Sequence, residues 1–162
     1  MRDKRRRGTD GSRAGTPPLV IFTRSFRALP GTVRDTLIAL RERLHGHISN
    51  DLMGRAELVL AELLNNIAQH GRPNRDGPMP LVHLSVVARS DGLSCSVSDN
   101  GRLLPTICLN SQPPEPSGYP EGGFGWFLIG HLTQSLAYFR EDEQNYVAFT
   151  VPLATPDPQI HL

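Results

Sequence analysis

Two spacings of hydrophobic residues run along this chain, and each predicts a different kind of element. Between residues 50 and 71 the apolar side chains recur every three or four positions, which places them on one face of a helix. This core-facing stripe consists of Leu60, Leu63, Leu64, Ile67 and Ala68, and the opposite polar face consists of Glu62, Asn65, Asn66, Gln69 and His70. Ser49 or Asn50 can cap the start of this helix, and Gly71 and Pro73 end it. An earlier helix is predicted to open at Thr32 and close at Gly46, with a stripe of Val33, Leu37, Leu40 and Leu44.

Alternation with a period of two predicts strands elsewhere in the chain. Leu93, Cys95 and Val97 alternate with serines, so one face of this strand is apolar and the other is wet. The predicted strands are residues 19–24, 81–89, 93–98, 135–140 and 146–151. Helices are therefore expected on one face only, in a two-layer α/β sandwich with a mixed, mostly antiparallel sheet. Residues 72–80 and 102–122 remain as loops, and the second, rich in proline, has the length of a lid or a disordered segment.

Length and charge place these elements in one domain with a distinct N-terminal tail. A chain of 162 residues fits a single two-layer core. Six basic and two acidic side chains give the first thirteen residues a charge of +4, so the total of +1 leaves −3 on the remainder. Residues 1–18 are predicted to be a basic, disordered tail that could touch a membrane surface or nucleic acid, and residues 154–162 a second tail. The domain itself, residues 19–153, is mildly acidic, which argues against nucleic acid as its main ligand.

The sequence also argues against several classes of protein. No run approaches the roughly eighteen apolar residues of a membrane span, and the arginine-rich start lacks the apolar segment of a secretory signal. A cytoplasmic protein is therefore expected. Cys95 and Cys108 form no metal-binding pair, and His45 and His47 have no partners at zinc-finger spacing, so neither zinc nor a disulfide framework is expected.

Candidate chemistry begins with Glu62, Asn66 and His70, which lie four and eight residues apart and so share one helical face. Asparagine is a poor helix former, and two adjacent asparagines in mid-helix indicate a role other than helix stability. A solvated polar face is the alternative interpretation.

Asp99 is a second candidate, because it continues the alternation of the strand before it and so points towards the helix layer at the strand end. Its carboxylate would accept an N–H from the exocyclic amine of a base, and Gly101 would let a ring approach the backbone closely. The alternative is an Asp-Asn-Gly turn in which Asp99 caps its own backbone.

A third candidate is the glycine run Glu121-Gly122-Gly123-Phe124-Gly125, which precedes an apolar segment predicted to be helical. Backbone N–H groups at the start of a helix bind phosphates, although a flexible hinge of the long loop is the alternative. The run is neither a Walker A loop, because no Gly-Lys-Ser/Thr follows, nor a Rossmann fingerprint, because no strand precedes it.

The order of these motifs resembles the ATP-binding domain shared by gyrase, a class of heat-shock chaperones, histidine kinases and MutL. This is the histidine kinase-like ATPase or Bergerat fold. Within that superfamily, Glu62-x-x-x-Asn66 followed by His70-Gly71 is similar to the N box of the anti-sigma factor serine/threonine kinases. The glycine run and the short N-terminal strand and helix are similar to that family as well. The resemblance covers residues 19–153.

The resemblance implies a site for ATP and Mg²⁺. Asp99 would bind the adenine amine, and Gly101 would pack near the base. Asn66 would hold Mg²⁺ through its amide oxygen, and Glu62 would accept the proton of the attacking hydroxyl. The phosphates would be wrapped by backbone amides of the glycine run, Gly122, Gly123, Phe124 and Gly125.

Two positions depart from the usual pattern of the superfamily. Leu103 stands where a second glycine often follows Asp-x-Gly. Asn145 stands where a threonine usually precedes the last strand, so the resemblance implies that it contacts the nucleotide. Its amide could still bond Asp99 or a water molecule. His70 has two interpretations, as a structural histidine at a helix end or as a phosphate contact.

The resemblance also implies partners. The family's kinases phosphorylate a serine or threonine on an anti-anti-sigma protein with a STAS fold, and otherwise sequester a sigma factor. A homodimer is a further expectation from the family, whereas a direct nucleic-acid or membrane partner is not expected. The alternatives are a binding module that uses ATP without catalysis and the catalytic half of a split histidine kinase.

Overall fold

The computed structural model describes residues 19–104 and 129–154. The predicted N-terminal tail, the glycine run, most of the proline-rich loop and all but the first residue of the predicted C-terminal tail lie outside the described residues. The elements in chain order are β1 (Val20–Arg27), α1 (Pro30–Leu44), α2 (Asn50–His70), β2 (Leu81–Arg89), β3 (Gly92–Asp99), β4 (Gln134–Glu141) and β5 (Gln144–Pro152).

The five strands form one sheet in the order β1-β2-β3-β5-β4, and every pairing is antiparallel. Because β5 lies between β3 and β4, the last hairpin places its second strand against the strand that carries Asp99. The predicted α/β sandwich is confirmed, with an antiparallel sheet throughout the described residues. In the β3–β5 register Asp99 is directly opposite Asn145.

The core lies between the sheet and the two helices. Along β3, Leu93, Cys95 and Val97 are buried, whereas the intervening serines are partly or fully exposed, as the alternation predicts. Helix α2 packs against β3 and β5, and α1 packs against β1 and α2. The α2 side chains of the core include Leu60, Leu63, Leu64 and Ile67 from the predicted stripe.

The start of α1 differs from the prediction by two residues. The helix begins at Pro30, whose fixed φ suits the first helical position and whose missing N–H needs no partner there. Thr32 stands two residues into the helix, and its hydroxyl accepts from the Leu29 N–H at 3.0 Å. The sequence signal at Thr32 was therefore a capping side chain of the first turn rather than the helix start.

The end of β1 differs by more, and the other boundaries differ by no more than two residues. Strand β1 continues to Arg27, three residues beyond the predicted end, because it pairs with β2 along its whole length. Ser49 caps α2 by accepting the Leu52 N–H at 3.1 Å, and Gly71 follows its last residue. None of the described helices is long and apolar enough to cross a membrane.

Candidate functional site

The polar face of α2 carries Glu62 and Asn66, both half-buried, and His70, which is exposed at the end of the helix. Asn66 Nδ2 donates to the backbone carbonyl of Glu62 at 2.7 Å. A carbonyl can only accept, so this bond identifies the nitrogen of the amide, and Oδ1 is an acceptor with no donor among the described residues. Within the described residues, the Glu62 carboxylate has no hydrogen bond or ion pair. The helix thus presents a carboxylate and an amide oxygen one turn apart.

Asp99 ends β3 and is 1% exposed. Its Oδ1 accepts from Gly101 N at 2.8 Å and from Asn145 Nδ2 at 3.1 Å. Its Oδ2, by contrast, is the one buried side-chain oxygen or nitrogen among the described residues that has no partner. The sequence leaves Asp99 two interpretations, as a cap of its own turn or as an acceptor for the amine of a base. Oδ1 caps the turn, and Oδ2 remains an acceptor without a donor. An unsatisfied buried polar atom costs stability, so a ligand or a water molecule is expected to supply the missing donor.

The charge of Asp99 is set by opposing effects. Burial raises the pKa of the Asp99 carboxyl, because a charged group loses hydration in the interior. The hydrogen bonds from Asn145 and Gly101 and the positive charge of Arg140 lower it. A carboxylate with an incomplete set of donors is suited to accept an N–H from a ligand.

Two glycines bring the end of α2 against the turn that follows Asp99. A Cβ on Gly101 would lie 2.6 Å from Gly71 O and 2.8 Å from Asp99 Oδ1. Arg102 N donates to Gly71 O at 2.8 Å, which ties the two segments together. The His70-Gly71 and Asp99-x-Gly101 motifs, thirty residues apart in sequence, are thus adjacent in the structure, and only glycine permits this separation of the backbones.

Behind Asp99 lies a polar network. From the sequence, Asn145 is expected to bond Asp99 or water, and the bond to Asp99 is present, but the sequence did not reveal the rest of the network. Asn145 is completely buried and bonds Asp99 directly. Its Oδ1 accepts from Tyr138 Oη at 2.7 Å and from Arg140 Nη1 at 2.9 Å. The sequence held one signal of this network, because Tyr138 and Arg140 lie two residues apart and so project from the same face of β4. In the structure Arg140 pairs with Asn145 on the neighbouring strand.

The described residues fit a nucleotide whose base carries an exocyclic amine, together with a divalent cation. Asp99 Oδ2 needs a donor, which an exocyclic amine supplies. Asn66 Oδ1 is a hard oxygen ligand of the kind Mg²⁺ prefers. The predicted contacts Gly122, Gly123, Phe124 and Gly125 lie outside the described residues, so the phosphate end of the site stays a prediction.

The site thus combines a buried acceptor carboxylate at a strand end with a close glycine contact beside it. Helix α2 adds a carboxylate and an amide on its polar face. A family model described as a histidine kinase-like ATPase domain matches residues 26–151. Because the match covers more than half of the chain, the chain belongs to the histidine kinase-like ATPase domain family, and its resemblance to that superfamily is confirmed. The comparison with curated proteins found no match.

Proposed function

We propose that this protein is an ATP- and Mg²⁺-dependent serine/threonine kinase that also acts as an anti-sigma factor. The observation that supports catalysis is the Glu62 carboxylate, half-buried and one helical turn before Asn66. A module that only bound ATP would not need an acid or base at this position. The narrower resemblance to anti-sigma factor kinases supports the choice of acceptor and partner.

In this proposal two elements contact the bound Mg-nucleotide. The end of strand β3 and the turn after it bind the base, and helix α2 binds the cation. Asp99 Oδ2 accepts an N–H of the adenine amine, and Gly101 gives the base access to the backbone. Asn66 holds the cation by Oδ1, since its nitrogen is committed to the Glu62 carbonyl. When bound, Mg²⁺ neutralises charge that develops on the phosphate oxygens. The glycine run, Gly122 to Gly125, is expected to donate backbone N–H groups to the phosphates.

Glu62 is the proposed general base. Its carboxylate accepts the proton of a serine or threonine hydroxyl on a partner protein as that oxygen bonds to the γ-phosphorus and the bond to ADP breaks. Within the described residues no ion pair neutralises Glu62, so the carboxylate is available to take a proton.

The proposed partners follow from the family resemblance. The acceptor is a STAS-domain anti-anti-sigma protein, and the sequestered protein is a sigma factor, in a partner-switching pathway in the cytoplasm. A homodimer is part of the same proposal, whereas neither a membrane nor direct contact with nucleic acid is.

The first test is calorimetric titration of the purified protein with Mg-ADP. Asn66→Ala is expected to weaken binding when Mg²⁺ is present, and the exposed neighbour Asn65→Ala is the matched control. Asp99→Asn is expected to weaken binding with or without the metal, because it replaces an acceptor oxygen by a donor nitrogen. Unchanged binding in both site variants would contradict the nucleotide site.

The second test is phosphotransfer from radiolabelled ATP to a panel of STAS-domain proteins. Glu62→Gln is expected to keep nucleotide binding and lose phosphotransfer by about a hundredfold or more, the usual contribution of a general base. Acid-stable phosphate on the acceptor supports a serine or threonine, whereas acid-labile phosphate would indicate a histidine kinase. Nucleotide binding without any phosphotransfer from the wild type would favour the non-catalytic module.

A further inference from the structure

The amide of Asn145 has no remaining capacity for a ligand. A carboxamide offers two N–H donors and two acceptor lone pairs. Nδ2 donates to Asp99 Oδ1 at 3.1 Å and to Arg102 O at 2.7 Å, while Oδ1 accepts from Tyr138 Oη and Arg140 Nη1. All four are used, and the residue is 0% exposed. An Asn145 that touched a nucleotide would first have to break one of these bonds.

Arg140 contributes the charged member of this network. Its Nη1 donates to Asn145 Oδ1 and to Gly101 O, both at 2.9 Å. One guanidinium nitrogen on β4 therefore holds both the amide that orients Asp99 and the glycine that follows it. These bonds fix the acceptor side of the Asn145 amide, so its nitrogen must face Asp99.

Tyr138 extends the same network to the chain beyond Gly101. Its hydroxyl donates to Asn145 Oδ1 at 2.7 Å and accepts from Leu104 N at 3.3 Å. Arg140 bonds Gly101 O, Asn145 bonds Arg102 O and Tyr138 bonds Leu104 N. Three of the four residues 101–104 are therefore anchored to the β4–β5 hairpin. The turn beside Asp99 is held from the sheet edge rather than by its own contacts alone.

We propose that Arg140 is a positioning residue for base recognition, acting through Asn145 to hold the Asp99 carboxylate with Oδ2 directed at the nucleotide. Asn145 accordingly has an indirect role in this proposal, in place of the direct nucleotide contact predicted from the sequence. The inference rests on the proposed nucleotide site and adds a specificity element to it.

Two physical effects connect Arg140 to base choice. Asp99 Oδ1 is restrained by two donors, so the carboxylate cannot rotate to offer a different oxygen. The positive charge of Arg140 also opposes the rise in the pKa of Asp99 that burial causes, which favours the acceptor form. Adenine carries an amine where guanine carries a carbonyl, so a fixed acceptor favours adenine and repels guanine.

The test compares ADP and GDP affinities by calorimetry in the presence of Mg²⁺ for wild type, Arg140→Met and Arg140→Lys. Arg140→Met keeps a side chain of similar length but removes the nitrogen that donates both hydrogen bonds, and about a tenfold loss of ADP affinity is expected. GDP affinity is expected to change less, so the preference for ADP over GDP falls. Arg140→Lys keeps the charge and one nitrogen donor and is expected to recover part of the preference.

Two further variants make the test specific. Arg89→Met makes the same substitution at the exposed end of β2 and is expected to bind like the wild type. Tyr138→Phe removes only a hydroxyl, and it is expected to reduce the preference for ADP even if Arg140→Met fails to fold, which circular dichroism would show.

The outcomes distinguish a failure of the role of Arg140 from a failure of the nucleotide site itself. Binding of ADP by the wild type with an unchanged ADP-to-GDP ratio in Arg140→Met and Tyr138→Phe would overturn the role of Arg140 alone. An equal loss for both nucleotides would also overturn it, since a loosened fold explains that result. Absence of ADP binding by the wild type would refute the nucleotide site and this role with it.

Discussion

Gly101 lies so close to the end of α2 that a single added carbon is expected to destabilise the protein. In Gly101→Ala the new Cβ would lie 2.6 Å from Gly71 O, 2.8 Å from Asp99 Oδ1 and 3.1 Å from Gly71 Cα. Two of these three atoms belong to the backbone, so no side-chain rotation relieves the contact. Overpacking of this kind costs about 1–3 kcal/mol. For a domain of this size the melting temperature would fall by roughly 3–10 °C.

Urea denaturation followed by circular dichroism measures this change directly. Gly101→Ala is expected to lower the midpoint of unfolding with little change in slope. Gly54→Ala is the matched control of opposite sign, because a Cβ there meets nothing within 4 Å inside helix α2. Replacing a helical glycine by alanine stabilises by about 0.5–1 kcal/mol.

A third glycine separates a general loss of stability from damage to the site. Gly92 has a φ of +146°, and its Cβ would lie 2.2 Å from Val151 O at the opposite end of β3 from Asp99. Gly92→Ala should therefore destabilise the fold and leave ADP affinity unchanged below the melting transition. Gly101→Ala should lower both the stability of the fold and the affinity for ADP. The reasoning would be refuted if Gly101→Ala were as stable as the wild type, or if Gly92→Ala weakened ADP binding equally.

Three other residues lead to separate predictions. Burial raises the folded-state pKa of Asp99, so its protonated form favours folding and stability is lost as pH rises through that pKa. Asp99→Asn should accordingly raise the melting temperature at pH 8 and have a smaller effect at pH 4; a larger gain at the lower pH would contradict this sign. Burial raises the pKa of the Cys95 thiol to about 12. In a Cys108→Ser background this thiol should therefore resist iodoacetamide at pH 8 until urea unfolds the protein. Rapid labelling of the native protein would disprove its burial. Arg55 donates to Pro152 O at 2.6 Å and Leu153 O at 2.8 Å, so Arg55→Met should lower the free energy of unfolding by about 1–3 kcal/mol. Asp51→Asn, which alters only the exposed partner of Arg55, is the control and should change it much less.

Helix α2 and strand β3 could be predicted well because their signals are local. The position of a side chain on a helix or strand face depends on its spacing from near neighbours, which the sequence contains. That spacing put Leu63 and Ile67 in the core, Glu62 and Asn66 on the polar face, and Asp99 towards the helices. The start of α1 was less accurate because a capping side chain and the first helical residue give similar signals.

The sequence by itself identified Glu62, Asn66 and Asp99 as candidates and determined which face of its element each occupies. The tertiary structure decided which of them meet. Asn145 bonds Asp99 across 46 positions, and it does so because β5 pairs with β3 in one particular register. Arg140 pairs with Asn145 within the last hairpin, and it acts on Asp99 only because β5 also pairs with β3. Strand order and register depend on burying a shared core between segments far apart in the chain, so no local pattern records them.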